Sequence, residues 1–255
     1  MNALLGIGAV IVWNDVVDEG RSQFYDWHDK EHIPERLSIR GFRRGRRYIR
    51  AAHSPEWLTF YEADDLSVLT SPDYLSRLNA PTALTQSTLK FFRNTSRAVC
   101  RISHSTGGSS GGYMLSLRAN VPTESTDQFV DHIVRVGFPR AMAATSVVAC
   151  HLFAADPEAS FIDTAESKTR TFDVPSWVIL CEATTHDAAL AARMAIDGDA
   201  LQPMQVEVRP DGGVYALEIC RLSDGVSRAG SAIAGSAIAG SAVGGSAIGV
   251  SAFGV

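Results

Sequence analysis

The densest chemistry in the sequence is Trp27-His28-Asp29-Lys30-Glu31-His32, followed by Ile33-Pro34-Glu35-Arg36. Residues three and four apart share a helix face, so His28, Glu31 and His32 can meet there. An imidazole titrates near neutrality. Either histidine can therefore take or give a proton beside a carbonyl, with Glu31 to orient it. Downstream stand Arg36, Arg40, Arg43, Arg44, Arg46, Arg47 and Arg50. A guanidinium fork suits oxyanions, and Arg36 or Arg43 is the expected holder of a carboxylate, phenolate or developing oxyanion. On a strand, Arg43, Gly45, Arg47 and Ile49 share one face, and Phe42, Arg44, Arg46, Tyr48 and Arg50 the other. Trp27, Tyr48, Trp57 and Tyr61, with Trp13 and Phe60, can wall an aromatic pocket.

The same helix fits H-x-x-E-H, and histidines four apart can both reach one metal. That alternative uses His28 and His32 as ligands and needs a further carboxylate from elsewhere, such as Glu62 or Glu124. A further alternative is a non-enzymatic small-molecule binding protein; haem, one such ligand, would need an axial histidine, and no attachment motif is present. The expectation is a site without metal or cofactor.

The elements that must position these residues come in two copies. Gln23-Phe24-Tyr25-Asp26 recurs as Gln128-Phe129-Val130-Asp131, and Pro34 as Pro139. The strand around Trp57, ending Glu62-Ala63, recurs around Trp177 with Glu182-Ala183. Val99-Cys100-Arg101-Ile102-Ser103 recurs as Ile219-Cys220-Arg221-Leu222-Ser223. The early matches are offset by 105 residues and the later ones by 120, which places an insertion between Asp156 and Pro175.

Each half reads strand, helix, strand, strand, helix, strand. In the first, strands are expected at Gly6–Asn14, Phe42–Ala51, Glu56–Ala63 and Thr95–Ser103. Helices are expected from Glu19 to Arg36, capped by Asp18 and ended by Pro34, and from Pro72 to Lys90, capped by Ser71. In the second, strands fall near Tyr113–Ala119, Val147–Ala154, Trp177–Ala183 and Gly213–Leu222. Its helices fall near Glu124–Ala141 and His186–Ile196. The order βαββαβ makes a ferredoxin-like α+β sandwich. Two tandem units can pack sheet against sheet in a dimeric α/β-barrel-type arrangement and enclose a cavity, within one chain or between chains. The divisions are 1–105 with the site, a flexible Gly/Ser linker at 106–112, a second unit at 113–224 acting mainly as scaffold, and a low-complexity GSAIA-type tail at 225–255 without a fixed fold.

The halves differ where the chemistry sits. Phe129, His132, Ile133 and Val136 form a mainly apolar face, whereas Phe24, Trp27, His28 and Glu31 bring ionisable groups to it. Burying those costs several kcal/mol or shifts their pKa, so the polar half is the functional one.

With 255 residues, 45% hydrophobic and 20% charged, the chain has the composition of a folded protein. A net charge of -5 disfavours a nucleic-acid binder. No run of about 18 apolar residues suggests a membrane span. The widely spaced Cys100, Cys150, Cys181 and Cys220 read as four buried thiols in a reducing cytoplasm.

The run from Trp27 to Arg36, followed by Gly41-Phe42-Arg43-Arg44-Gly45-Arg46-Arg47-Tyr48, resembles the EthD-like branch of the dimeric α/β-barrel superfamily. The Trp-x-x-x-x-His-x-Pro spacing carries the match. The resemblance implies ferredoxin-like units forming a barrel with an interior pocket, His32 facing that pocket, and cofactor-independent chemistry on a small molecule. It implies a lyase or isomerase, acting as dehydratase, decarboxylase or cyclase, or cofactor-free oxidation. The expected substrate is anionic and aromatic, lactone or polyketide-like, and a homodimer is possible. Gly137 stands where the second half would need His32.

Overall fold

The computed structural model describes residues 3–51, 53–167, 174–201, 204 and 206–225. The first half runs β1 (Gly8–Val16), α1 (Arg21–Trp27), a π turn (His28–His32), α2 (Ile33–Ser38), β2 (Phe42–Ile49), β3 (Trp57–Ala63), α3 (Pro72–Asn79), α4 (Ala83–Leu89) and β4 (Phe92–Gly107). The second runs β5 (Tyr113–Asn120), α5 (Thr126–His132), a π turn (Ile133–Gly137), α6 (Phe138–Ala143), β6 (Val147–Ala155), α7 (Pro157–Ser160), β7 (Trp177–Ala183), α8 (His186–Met194), a π segment (Ala195–Leu201), β8 (Glu207–Val208) and β9 (Gly213–Leu222). Ser71 caps α3 through its hydroxyl, as its place before Pro72 suggested. Asp18 instead accepts from Arg21 Nε.

The strands are antiparallel in the order β7-β6-β4-β1-β3-β2-β9-β5, and β5 pairs with β7 to close the ring. β8 adds to the free part of β5. The barrel is thus an α+β arrangement completed within one chain. Strand alternation sends one set of side chains inward: Ile11, Trp13, Tyr48, Leu58, Phe60, Met114, Phe153, Leu180 and Tyr215 pack together there. The opposite faces carry the helices, with an apolar cluster under each.

Several expectations change. The barrel interior is packed with large side chains, and Tyr48 belongs to that packing at 0% exposure, so the histidine-bearing cavity lies elsewhere. The first helix does not end at Pro34. It continues to Ser38, because the π turn preceding α2 accommodates a residue with no N–H to donate; Pro139 sits in the same relation to the second π turn. Thr106 and Gly107, read as linker, pair with Cys150 and Ala149 at the end of β4. Cys220 is exposed while the other three cysteines are buried; β9 pairs with β5 only as far as Ala216, and Leu217 and Leu222 beyond that pairing are exposed as well. The last repeat match was out of register as well. Cys100 pairs with Ala9 and Tyr215 with Met114, so Tyr215 and not Cys220 is the structural counterpart of Cys100. The GSAIA-type tail read from 225 lies outside the described residues beyond 225, as do residues 168–173 of the expected insertion.

Candidate active site

The helix formed by α1, the π turn and α2 packs across β1, β2 and β3. Between them lies a cavity of roughly 40 Å³, lined by Val12, Asn14, Phe24, Trp27, His28, His32, Thr59, Tyr61 and Phe92. That is room for about two or three waters. His28 is buried, at 4% exposure, and stacks between Phe24 (ring centroids 5.3 Å apart) and His32 (5.6 Å). His32 in turn packs on Trp27 at 4.3 Å. Tyr61 lies over Gly45, where any Cβ would stand 2.9 Å from its ring, and this brings its hydroxyl 3.5 Å from His28 Nε2.

The arginine at the site is Arg47. Its NH1 lies 3.0 Å from His28 Nδ1 and donates to Asp29 at 2.5 Å; its Nε donates to Glu218 at 2.7 Å. Its guanidinium also covers the Tyr25 ring, and Tyr25 donates to Glu218. Burial, and then the Arg47 charge, hold the His28 imidazole well below the usual histidine pKa, so it is neutral at pH 7. Burial pushes the Tyr61 hydroxyl far up, so it too is neutral.

Of the expected site residues, His28, His32, Trp27 and Tyr61 converge on the cavity. Trp57 sits one layer back, buried with Phe24, Trp27 and Leu89. Glu31 does not orient a histidine. Its carboxylate accepts from Thr82 and Thr85 and ties the π turn to the start of α4. Arg36 is buried against Glu166, and Arg43 forms a two-pronged pair with Asp64 near the surface, so neither lines the cavity. Sequence reasoning passed over Asn14, Thr59 and Arg47. Nothing in the sequence separates Arg47 from Arg43, which shares the same strand face with Gly45.

The metal alternative finds no third ligand. No group of three His, Cys, Asp or Glu side chains fit for a metal occurs among the described residues. Glu62 is inside the barrel with Arg44 and Arg46, and Glu124 lies in a 3-10 turn of the other unit. For haem, Nδ1 of His28 is taken by Arg47 and Nε2 faces the Tyr61 hydroxyl at 3.5 Å.

The second unit is more apolar at the corresponding place, though His132 stands there where Trp27 stands in the first. The strand registers make Ala119 the counterpart of Asn14, Leu152 of Arg47, Ile179 of Thr59 and Cys181 of Tyr61. The two π turns match Ile133 with His28, Val136 with Glu31 and Gly137 with His32. Every polar position has become apolar or glycine. Ile196 and Ala200 fill the space, each within 3.2 Å of where a Gly137 Cβ would stand.

No family model matches the sequence, and no curated protein matches it. Solved structures do match the fold. An anthrone oxidase-like protein superposes with TM-score 0.61 at 11% identity, covering 88% of this chain and 96% of its own. Chlorite dismutase from Candidatus Nitrospira defluvii, in complex with imidazole, gives 0.51 at 11%, covering 84% and 92%. A putative monooxygenase from Fusobacterium nucleatum gives 0.50 at 8%, covering 86% and 95%. These proteins share the dimeric α/β-barrel fold, and this chain has that fold with both units in one polypeptide. At such identities the likeness is one of fold. No helix among the described residues is long and apolar enough to cross a membrane.

Proposed function

We propose that this chain is an enzyme of the EthD-like kind that moves a proton on a small aromatic, lactone or polyketide-like molecule, without metal or cofactor, at the cavity between the first π turn and the sheet. The carrying observation is the position-by-position loss of polarity in the second unit. Six polar or aromatic side chains in or against one niche, Asn14, His28, His32, Arg47, Thr59 and Tyr61, are replaced by Ala, Ile, Gly, Leu, Ile and Cys at the same fold positions. The apolar set serves the fold, so the polar set serves something else.

A histidine removes a proton beside a carbonyl, and donors in the niche stabilise the resulting oxyanion. Reprotonation at another carbon gives isomerisation; loss of a hydroxyl or carboxyl group gives a lyase reaction. A second reading is favoured by the likeness to an anthrone oxidase-like protein: the same carbanion, once formed, reacts with dioxygen. The cavity as it stands is smaller than any such substrate. A cleft of about 460 Å³ lies along α4, walled by Pro81, Gln86, Leu89 and Lys90, and Leu89 also packs in the cluster with Trp27. Movement of α4 would join the two spaces.

The test is turnover across a panel of aryl ketones, lactones and cyclic polyketide-like compounds, with and without air. His32→Ala should lower kcat about 10²–10⁴-fold with unchanged circular dichroism. Full turnover in that variant removes the site. Dependence of product on dioxygen selects the oxidative reading.

A further inference from the structure

Arginine can only donate hydrogen bonds. The Nδ1 of His28, 3.0 Å from Arg47 NH1, must therefore be the accepting nitrogen, and the ring proton sits on Nε2, the nitrogen that faces Tyr61 at the cavity. Arg47 is itself fixed from two sides, by Asp29 on the π turn and Glu218 on β9, with its side chain 3% exposed. Its charge is spent on those two carboxylates. The lining contributes no lysine, arginine, aspartate or glutamate. A carboxylate or phenolate entering here would lose its hydration with no opposite charge to meet, which opposes binding.

We propose that Arg47 is a positioning residue that locks His28 as the Nε2–H tautomer, so that His28 donates to the carbonyl oxygen of an uncharged aromatic ketone while His32 serves as the base. This deepens the proposed function and rests on it. In the step, His32 takes the proton from the carbon next to the carbonyl. The C–H electron pair becomes a C=C bond, and the carbonyl π pair moves to oxygen. The enolate oxygen then accepts from His28 Nε2–H and Tyr61 O–H. The proton on His32 passes to another carbon or to a departing hydroxyl. A neutral imidazole used as donor suits the burial of His28. It also makes the expected anionic substrate the wrong class for this niche.

The groups facing His28 are Arg47 from β2, Tyr61 from β3, Asp29 and His32 from its own turn, and Tyr25 and Glu218 beyond Arg47. Nitrogen-15 NMR of the histidines in the full chain reads the tautomer directly, with no activity needed. Nε2 of His28 should give a protonated-type shift and Nδ1 an acceptor-type shift, unchanged from pH 5.5 to 8. Arg47→Met should release the ring to a mixture of tautomers and lower kcat roughly 10²-fold, and Arg47→Lys, which keeps a donor, should restore both in part. If Arg47→Met fails to fold, the wild-type spectrum alone decides. An Nδ1–H ring or an imidazolium in that spectrum overturns the proposal. As a substrate probe, acetophenone should shift the His28 Nε2 signal and benzoate should not; stronger binding of benzoate overturns the substrate class. Failure of the tautomer with His32→Ala still inactive removes Arg47's role alone, whereas an active His32→Ala removes the site reading and leaves the tautomer untouched.

Discussion

His28 shows how burial and one neighbour set a residue's chemistry. In solvent its imidazole would charge near pH 6.5. Within the fold, burial first and the Arg47 cation second depress that value, so the unfolded chain binds a proton that the folded chain refuses. Above about pH 6.5 neither state carries the proton. As pH falls below it, stability is lost until the depressed folded value is reached. His28→Gln keeps an acceptor for Arg47 and removes the titration. Its Tm should therefore fall less steeply than that of the wild type between pH 7 and pH 5, measured by differential scanning calorimetry. An identical slope would mean that His28 is not the group refusing the proton.

At the scale of elements, the site depends on three packed pieces: the π turn, β2 and β3. The π turn follows from Pro34, which cannot donate to the preceding turn. Both units have such a turn, so it belongs to the fold, and only its side chains differ. On β2, Gly45 leaves the space that Tyr61 occupies beneath the helix, and Ile33 stands 3.4 Å from where a Gly45 Cβ would be. Gly45→Ala should push Tyr61 off His28 and cost about 1–3 kcal/mol in urea unfolding, with loss of turnover beyond what stability explains. Gly41, which has φ +97° and turns the chain into β2, should lose stability on substitution by alanine but keep kcat. α4 is held differently: Gln23 to Ser87 and Thr88, Trp27 to Thr85, and Glu31 to Thr82 and Thr85, all through hydroxyls.

Across the whole molecule, the repeated Glu-Ala at the end of β3 and β7 has a role the sequence did not reveal. Glu62 and Glu182 both point into the barrel, and Arg46 bridges them at 3.0 Å each. Arg44 adds to Glu62, while His151 and the Gly111 amide add to Glu182. Burial raises the Glu182 carboxyl, but the neighbouring His151, the Arg46 charge and the Gly111 amide outweigh it and hold it at about 2. Its folded value is below the ordinary 4.5, so its contribution is complete above about pH 4.5 and is lost as pH falls toward 2. Glu182→Gln should cost about 3–5 kcal/mol at pH 7, because Arg46 is left buried with one partner fewer. Tryptophan fluorescence and circular dichroism should still give one shared urea midpoint, since the network joins both units. A cost near zero would show that the buried charges are not coupled.

The sequence by itself determined the duplicated βαββαβ order and the half that carries proton-handling groups. Those are local matters of periodicity, capping and residue type, and two copies of one pattern reinforce each other. It did not determine every strand face: Phe42, read with Arg44, Arg46 and Tyr48, lies with Tyr61 on the helix side because β2 shifts register between Phe42 and Arg44. It could not determine which arginine meets the histidine. Arg36, Arg43 and Arg47 are equivalent as charges along the chain, and only packing decides that Glu166 and Asp64 occupy the first two while β2 carries Arg47 beneath the π turn. Nor could it place the cavity on the helix side of the sheet. That depended on how large residues from both units, far apart in sequence, fill the ring they close together.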